Sequence, residues 1–321
     1  MEPRAFISQP IPVAGLELLR REGISFEINE DDRVLPKSEL ISRLEGKEGL
    51  LCLLTDSIDA GVIEAATRLR GIATCAVGYD NIDLEAATRR GIAVSNTPGV
   101  LTETTADLTW ALILAVARRI AEADRYTRAG LFRGWGITLM LGADVHGKTL
   151  GIVGGGKIGT AVAARARGFR MRILYRSPER NDGLERDLGT AHVDLDRLLR
   201  ESDFVSLHVP LTPETHHLIG ERELALMRPG AFLINTSRGA VIDEAALVRA
   251  LREKRIAGAG LDVYEGEPRL CEGLKDLDNA VLLPHIGSAS FETRSRMAEM
   301  AATNLAAMLR GEHPPNCVNP P

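Results

Sequence analysis

Short apolar runs alternate with helical patterns along almost all of this 321-residue chain. In the first hundred residues we predict strands at 4–8, 49–55, 71–76 and 93–96, and helices at 12–22, 58–69 and 84–90. Alternation of this kind predicts an α/β fold with a doubly wound parallel sheet, because each parallel strand needs a crossover that is usually helical. The breaker pair Pro98-Gly99 ends this first series and predicts a domain crossing.

A second series starts near residue 149 and has the same character. Its predicted strands lie at 149–153, 171–175, 204–208, 231–235, 257–262 and 281–283. The segment 104–118 is apolar on nearly all sides, which predicts a helix buried between domains or between subunits. The last predicted helix, 291–309, follows the second series and could fold back onto the first domain. A chain of this length is expected to form two domains.

Charge and cysteine content exclude several classes of function. The net charge of −5 predicts no basic face for nucleic acid, and no run is long enough to span a membrane. The cysteines form no C-x-x-C pair, which argues against a zinc or thioredoxin-like site; they are Cys52, Cys75, Cys271 and Cys317. We therefore expect a reduced, cytoplasmic protein without an export segment.

The segment Gly154-Gly-Gly-Lys-Ile-Gly159 lies between a predicted strand and a predicted helix at 158–167. In a dinucleotide-binding turn, Gly154 would permit the tight turn, Gly156 the approach of a pyrophosphate, and Gly159 close packing of helix on strand. Amide groups at the helix start would then face phosphate oxygens. A glycine-rich loop without a ligand is the alternative, but the strand and helix on either side favour dinucleotide binding.

The residue after the next predicted strand is Arg176, where an acidic residue would bind a free ribose 2′-hydroxyl. Arg176, Ser177 and Arg180 together offer two cations and a hydroxyl, which suits a 2′-phosphate. Glu179 lies close by, and a solvated surface cluster is the simpler alternative. We predict a preference for NADP, with NAD possible.

Three titratable side chains follow predicted strands in the second series: Arg238, Glu267 and His285. The carboxyl ends of parallel strands line the ligand crevice, so these groups are expected to converge. Arginine suits a substrate carboxylate, histidine suits proton transfer, and a glutamate beside the histidine favours its protonated form. Each residue alone could equally be structural, and only their joint placement favours catalysis.

Several segments resemble the D-isomer-specific 2-hydroxyacid dehydrogenase family over essentially the whole chain. They are AVGYDNID at 76–83, NTPG at 96–99, GADVHGKTLGIV at 142–153, SDFVSLHVP at 202–210, LINTSRG at 233–239, GLDVYEGEP at 260–268 and LPHIGS at 283–288. The resemblance implies a flavodoxin-like substrate domain, 1–98 plus 289–321, around an inserted Rossmann cofactor domain, 99–288. It also implies a homodimer formed through the cofactor domain.

The resemblance implies roles for individual residues. Arg238 would bind a small 2-keto acid, His285 would be the acid/base and Glu267 its partner. The amides of Val77 and Gly78 would receive the substrate carboxylate, while Leu53 could line the pocket or be a plain core residue. Asp262 would bond the nicotinamide carboxamide. The expected cofactor contacts are Thr104, Gly154, Gly155, Gly156, Lys157, Ile158, Gly159, Arg176, Ser177, Arg180, Val209, Pro210, Thr236, Asp262, His285 and Gly287.

Within the family, Trp135, the run 139–142 and the tail PPNCVNP resemble glyoxylate/hydroxypyruvate reductases. One departure is Pro178, which stands where several NADP-using relatives have the phosphate-binding arginine. D-3-phosphoglycerate dehydrogenase, D-lactate dehydrogenase and a cofactor-sensing corepressor-like module remain alternatives.

A metal site is the last alternative, suggested by His208, His216 and His217. No carboxylate or cysteine stands at ligand spacing beside them in the sequence, so we expect no metal.

Overall fold

The structure, a computed structural model, describes residues 4–319. The chain divides into two compact units, residues 4–101 together with 288–319, and residues 102–287. We call the first the discontinuous unit and the second the central unit. The predicted roles of the two units, substrate and cofactor binding, stay predictions at this stage.

The discontinuous unit is a five-stranded parallel sheet with helices on both faces, in the strand order β2-β1-β3-β4-β5. Its elements are β1 (Ala5–Ile7), α1 (Val13–Arg21), β2 (Phe26–Ile28), α2 (Lys37–Leu44), β3 (Gly49–Cys52), α3 (Ala60–Ala65), β4 (Gly71–Thr74), α4 (Leu84–Arg89), β5 (Ala93–Ser95) and α12 (Phe291–Arg310). This order is the flavodoxin-like one, with its switch point between β1 and β3. The predicted topology of this unit is confirmed.

Helix α12 belongs to the discontinuous unit, although it follows the central unit in sequence. It packs on α1 and on strands β3 and β4, as the predicted return of the last helix requires. Gly15 makes the approach to α1 possible, because a Cβ at this position would lie 2.9 Å from the carbonyl oxygen of Ala298. The C-terminal tail then runs beside β5, where Asn319 accepts a hydrogen bond from the Val94 amide at 2.6 Å. The tail therefore covers the edge strand of the sheet.

The central unit is a seven-stranded parallel sheet with the strand order β12-β11-β10-β9-β6-β7-β8. Its elements are α5 (Thr102–Ala117), α6 (Ile120–Arg128), β6 (Thr149–Val153), α7 (Lys157–Ala166), β7 (Arg172–Arg176), α8 (Asp182–Leu188), β8 (Ala191–His192), α9 (Leu195–Glu201), β9 (Phe204–Leu207), α10 (Glu221–Leu226), β10 (Phe232–Asn235), α11 (Glu244–Arg252), β11 (Gly258–Leu261) and β12 (Ala280–Leu282). This is the Rossmann arrangement, with its switch point between β6 and β9. The predicted fold class is confirmed.

Helix α5 is buried mainly within its own unit, against α7 and strands β10 and β11. Trp110 stacks on Phe169 with ring centroids 4.5 Å apart, and its Nε1 donates to the Val162 carbonyl at 3.0 Å. Packing inside the central unit therefore explains most of the apolar character for which we expected a domain or subunit interface. Leu108 and Leu114 remain only partly buried.

Among the elements that were not predicted are β2, α2, α6 and β8. Strand β2 is three half-buried residues long and β8 is two residues long, so neither has a buried apolar run. Helix α6 buries none of its residues and therefore carries no apolar face that faces a core. Within residues 4–319, no helix is both long and apolar enough to cross a membrane.

Candidate active site

The carboxyl edge of the seven-stranded sheet carries most of the predicted site. Arg238, Asp262 and His285 follow the ends of the neighbouring strands β10, β11 and β12 by one to three residues. Because these strands are parallel and adjacent, their ends lie on the same edge of the sheet. Arg238 and His285, two of the three groups predicted to converge, therefore follow strands that end on one edge of the central unit.

Glu267 and His285 form a direct pair. The Oε2 atom of Glu267 lies 2.9 Å from Nδ1 of His285, and Oε1 accepts from the Tyr264 amide at 2.9 Å. Burial raises the pKa of Glu267, but the hydrogen bond and charge of His285, the Tyr264 amide and the charge of Arg238 together lower it below its ordinary value. The carboxylate is therefore ionised near neutral pH and orients the imidazole so that Nε2 is left for proton transfer.

Tyr264 fixes the glutamate loop relative to the histidine, which the sequence did not indicate. Its hydroxyl donates to the Leu283 carbonyl at 2.8 Å, two residues before His285, while its amide donates to Glu267. The ring is buried. Tyr264 therefore links both ends of the Glu267–His285 pair.

The loop of Arg238 packs against the loop of Glu267. Gly239 allows this approach, because a Cβ there would lie only 1.8 Å from the carbonyl carbon of Tyr264. Asn235 holds the loop from inside the sheet: its Nδ2 donates to the Arg238 carbonyl at 2.8 Å, and its Oδ1 accepts from the Ser237 amide at 2.9 Å. The half-buried Arg238 side chain thus lies on a constrained backbone next to the acid/base pair.

Asp262 has a carboxylate oxygen without a hydrogen-bond partner among residues 4–319. The side chain is 1% exposed, and Oδ1 accepts from the Ile286 amide at 2.8 Å, whereas Oδ2 is buried and unpaired. Burial raises the pKa of Asp262. A Cβ on the neighbouring Gly287 would approach Oδ2 to 3.2 Å. A buried acceptor of this kind needs a donor, and a carboxamide NH2 would supply one.

The glycine turn lies at the switch point of the central unit. Gly154 has φ +108°, and a Cβ there would lie 2.3 Å from the His208 carbonyl oxygen; at Gly159 it would lie 2.0 Å from the Gly154 oxygen. At Gly156, by contrast, a Cβ would meet nothing within 4 Å. Two glycines are therefore required by the protein's own packing, while the third leaves space in front of helix α7. The first amides of this ten-residue helix lack partners within the helix and suit a phosphate.

The remaining residues of the predicted turn are Gly155, Lys157 and Ile158. Gly155 is buried, with its carbonyl accepting from Asn181 Nδ2 at 2.8 Å, whereas Lys157 is exposed and Ile158 is half-buried. Asn181 was not predicted. It joins the phosphate turn to the loop after β7, so the two segments that would hold the adenosine half of a dinucleotide are tied together.

At the ribose end, the structure separates the two candidate cations. Arg176 ends β7, and its Nη1 donates to the carbonyl of Ser177. Arg180 instead forms an ion pair with Glu185, which also accepts from the Tyr175 hydroxyl at 2.6 Å. The charge of Arg180 is therefore already balanced within the protein.

Other predicted cofactor contacts surround the same edge. Val209 and Pro210 follow β9 and are half-buried and exposed, respectively. Thr236 follows β10, with its hydroxyl 2.9 Å from that of Thr109 on α5, and Thr104 is half-buried in the first turn of α5. His208 hydrogen-bonds Ser206 at 2.9 Å, and burial lowers its pKa to about 3, so this histidine is neutral.

In the discontinuous unit, the predicted substrate residues follow the carboxyl ends of β3 and β4. Leu53, Val77 and Gly78 are half-buried there. The Val77 carbonyl accepts from Asn96 Nδ2 at 2.8 Å, and the Leu53 amide donates to Asp56 Oδ2 at 2.8 Å. These loops are therefore held by hydrogen bonds from polar side chains.

Asp56 was not predicted. It is buried, accepts from the Ser8 hydroxyl and from Gln9 Nε2, and lies where the strand order of the sheet switches between β1 and β3. Asn81 adds a second brace, since its Nδ2 donates to the carbonyls of Leu53 and Asp56. Asp56 and Asn81 are polar residues that each follow a buried strand by a few positions. No other feature of the sequence points to them.

Comparison with known proteins shows the family to which this chain belongs. Residues 110–287 match the model of the D-isomer specific 2-hydroxyacid dehydrogenase, NAD binding domain. A glyoxylate reductase of Korarchaeum cryptofilum is 56% identical over 99% of this chain and 96% of its own. The chain belongs to the D-isomer-specific 2-hydroxyacid dehydrogenase family. It is an NAD(P)-dependent dehydrogenase.

Solved structures of relatives have the same fold as this dehydrogenase. A protein from Thermus thermophilus superposes with a TM-score of 0.92 at 49% identity, covering 98% of this chain and 99% of that one. An NADPH-dependent glyoxylate/hydroxypyruvate reductase from Sinorhizobium meliloti, in complex with NADP and malonate, superposes with a TM-score of 0.88 at 33% identity, covering 99% and 97%.

The dehydrogenase also carries a cluster that its sequence did not reveal. We expected no carboxylate beside His216 and His217, but Glu265 lies there, with its Oε1 2.8 Å from Nε2 of His217. The two residues are separated by 48 positions, so only folding brings them together. Sequence spacing therefore does not reveal this carboxylate, and the absence of a metal stays a prediction.

Proposed function

We propose that this dehydrogenase reduces a small 2-keto acid, glyoxylate or hydroxypyruvate, to the D-2-hydroxy acid, glycolate or D-glycerate, with NADPH as the preferred cofactor. The observation that carries the proposal is the Glu267–His285 pair beside the loop of Arg238. Together these groups offer a proton donor, a carboxylate that keeps the donor oriented, and a cation for the substrate.

The roles follow from the chemistry of each side chain. The guanidinium of Arg238 binds the carboxylate and carbonyl oxygens of the keto acid and draws electrons from its carbonyl carbon. Nε2 of His285 donates a proton to the carbonyl oxygen, while Glu267 holds the opposite ring nitrogen. Nicotinamide, when bound, supplies the hydride. The amides of Val77 and Gly78 and the side chain of Leu53 remain the predicted contacts for the rest of the substrate.

The unpaired oxygen of Asp262 supports the placement of the nicotinamide. A carboxamide NH2 bonded there would satisfy a buried acceptor that has no partner among the described residues. His285 and Gly287 flank Ile286, whose amide donates to Asp262 Oδ1, and a Cβ on Gly287 would lie 3.2 Å from Oδ2. The hydride-donating ring and the acid/base histidine would thus share one short segment.

A small, unphosphorylated substrate is supported by two observations. Relatives over nearly the whole chain are glyoxylate reductases, including one from Thermococcus litoralis at 53% identity. In addition, the segments 52–58 and 75–80 contain no lysine or arginine that would bind a substrate phosphate. A D-3-phosphoglycerate dehydrogenase activity is therefore less favoured. A D-lactate dehydrogenase activity is distinguished from the proposed one by an assay with pyruvate.

Arg176 supports the preference for NADPH. It ends strand β7 where an acidic residue would favour NAD, and within residues 4–319 its charge is offset by no ion pair, whereas Arg180 is paired with Glu185. Ser177 adds a hydroxyl. The Sinorhizobium meliloti relative was solved with NADP.

The proposal includes a homodimer formed through the central unit. Three large apolar side chains of the segment between α6 and β6 are highly exposed: Trp135 at 82%, Ile137 at 74% and Leu141 at 64%. Large apolar side chains exposed together in one segment favour burial in an interface. Light scattering should give twice the mass of one chain, and a monomer at micromolar concentration would contradict this part of the proposal.

The function is tested by steady-state assays with glyoxylate, hydroxypyruvate and pyruvate, each with NADPH and with NADH. We expect the highest kcat/KM with glyoxylate or hydroxypyruvate and NADPH. A preference for pyruvate would assign a D-lactate dehydrogenase. Negligible turnover with all three, despite tight cofactor binding, would favour a cofactor-sensing module instead.

A further inference from the structure

The loop between β9 and α10 presents two consecutive histidines on the same side. The rings of His216 and His217 stack with centroids 4.0 Å apart and an angle of 24° between their planes. Consecutive side chains in an extended strand point in opposite directions, so this arrangement needs a special backbone. His217 provides it with a left-handed conformation at φ +51°, which is unfavourable for a residue with a Cβ.

Hydrogen bonds within the loop and to the carbonyl of Ala240 maintain this conformation. The amide of His217 donates to the Ala240 carbonyl at 2.8 Å, and the amide of His216 donates to the Thr212 carbonyl at 2.9 Å. The hydroxyl of Thr215 donates to the Pro210 carbonyl at 2.6 Å. The histidines are therefore presented by a braced loop.

A third group from a distant segment faces the two rings. Glu265, in the loop after β11, places Oε1 2.8 Å from Nε2 of His217. One ligand atom each of His216, His217 and Glu265 lies within 4.8 Å of the other two. The carboxylate and both histidines are partly or fully accessible to solvent, so an ion could enter without rearrangement of the core.

We propose that His216, His217 and Glu265 form a binding site for a divalent transition-metal ion of the Zn²⁺, Cu²⁺ or Ni²⁺ class. Two imidazole nitrogens and one carboxylate oxygen are ligands that these ions prefer, whereas Mg²⁺ and Ca²⁺ favour all-oxygen sites. Water completes the coordination on the exposed side. Binding replaces the His217–Glu265 hydrogen bond by two bonds to the ion, with both imidazoles neutral.

The site is separate from the proposed catalytic groups but is connected to them through the backbone. The Tyr264–Glu265 backbone packs on Gly239, next to Arg238, and Glu267 follows two residues later. An ion held by His217 and Glu265 would therefore join the loop after β9 to the loop that carries Glu267. The expected result is added thermal stability on metal binding, because an ion that binds only the folded chain stabilises it.

The test is calorimetric titration of the EDTA-treated, tag-free full-length chain with Zn²⁺. We expect one Zn²⁺ per chain and a rise in Tm. His216→Ala and Glu265→Gln should each weaken binding by about tenfold or more. His217→Gln keeps a donor for Glu265 but removes a metal ligand, so it should lose Zn²⁺ affinity while its metal-free Tm stays close to wild type. His146→Ala, at an exposed histidine elsewhere, should bind as wild type does.

A second probe identifies the ligands directly. Electron paramagnetic resonance of the Cu²⁺-loaded chain should show coupling to two nitrogens in the wild type and in His146→Ala, and to one in His216→Ala. The proposal is overturned if Zn²⁺ binds only at millimolar concentration, or if His216→Ala and Glu265→Gln bind as tightly as wild type. Neither readout depends on activity, so the result is independent of the proposed reductase function.

Discussion

The Oε2 atom of Glu267 lies 2.9 Å from Nδ1 of His285, and the carboxylate's other oxygen accepts from the backbone at Tyr264. The carboxylate is thus held at both oxygens and can orient the imidazole without moving. A proton donor fixed in this way loses little entropy when the substrate binds.

Removing either partner of this pair should affect the chemical step. We expect His285→Ala to lower kcat by about 10²- to 10⁴-fold, the usual contribution of a general acid, while the Kd for NADPH changes little. Glu267→Gln should lower kcat less, because the imidazole stays but is less well oriented. Single-turnover kinetics and cofactor titration separate the two effects. Unchanged turnover in His285→Ala would exclude this histidine as the acid/base.

The same pair predicts how stability depends on pH. The pKa of Glu267 lies below its ordinary value of 4.5: burial raises it, and His285, the Tyr264 amide and Arg238 together lower it by more. A carboxylate with a lowered folded-state pKa contributes stability that is fully present above 4.5 and is lost as the pH falls through the lowered value. The Tm difference between wild type and Glu267→Gln should therefore be constant near neutral pH and shrink below 4.5. Parallel Tm curves through that range would contradict the assignment.

Asp262→Asn tests the unpaired buried oxygen. The asparagine can still accept from the Ile286 amide, but it presents an NH2 where the NH2 of a nicotinamide is expected. We expect NADPH affinity to fall by about tenfold or more, the loss typical for a hydrogen bond to a charged group, while the Tm of the cofactor-free chain changes little. Calorimetric titration and thermal unfolding measure the two quantities. Equal NADPH affinity in variant and wild type would remove Asp262 from the cofactor site.

Substitutions at Gly156 and Gly159 of the turn test two different roles of glycine. A Cβ at Gly159 would lie 2.0 Å from the Gly154 oxygen, so we expect Gly159→Ala to destabilise the chain by about 1–3 kcal/mol. A Cβ at Gly156 meets only open space, so Gly156→Ala should keep its stability and lose NADPH affinity, because the methyl group occupies the space expected for phosphate. Urea unfolding and cofactor titration of both variants check this. A Gly156→Ala variant with wild-type affinity would argue against a phosphate there.

The choice of cofactor should depend on Arg176 and not on Arg180. Arg176→Ala should raise the KM for NADPH by about ten- to a hundredfold and leave that for NADH almost unchanged. Arg180→Ala is the control, because its charge is already paired with Glu185. Steady-state assays with both cofactors decide the matter. If Arg180→Ala weakens NADPH more than Arg176→Ala does, the two roles are reversed.

Much of the fold could be predicted because its signals are local. Buried strands read as apolar runs, and the turn at Gly154 requires glycine whatever surrounds it. Elements without such a local signal were not predicted. Strand β8 has two residues and helix α6 has no buried face, so neither produces a periodic apolar pattern in the sequence. Asp56 and Asn81 were missed because partners of theirs lie on other loops: Ser8 and Gln9 for Asp56, and Leu53 for Asn81.

The sequence by itself determined the two parallel-sheet units, the phosphate turn and the placement of Arg238, Asp262 and His285 after successive strands. Only the tertiary structure decided which groups touch. It pairs His285 with Glu267, balances Arg180 with Glu185 and brings Glu265 to His217, and among the described residues it gives one oxygen of Asp262 no partner. The physical reason is that a backbone pattern depends on neighbours in the chain, whereas a side-chain contact depends on how loops from different strands pack.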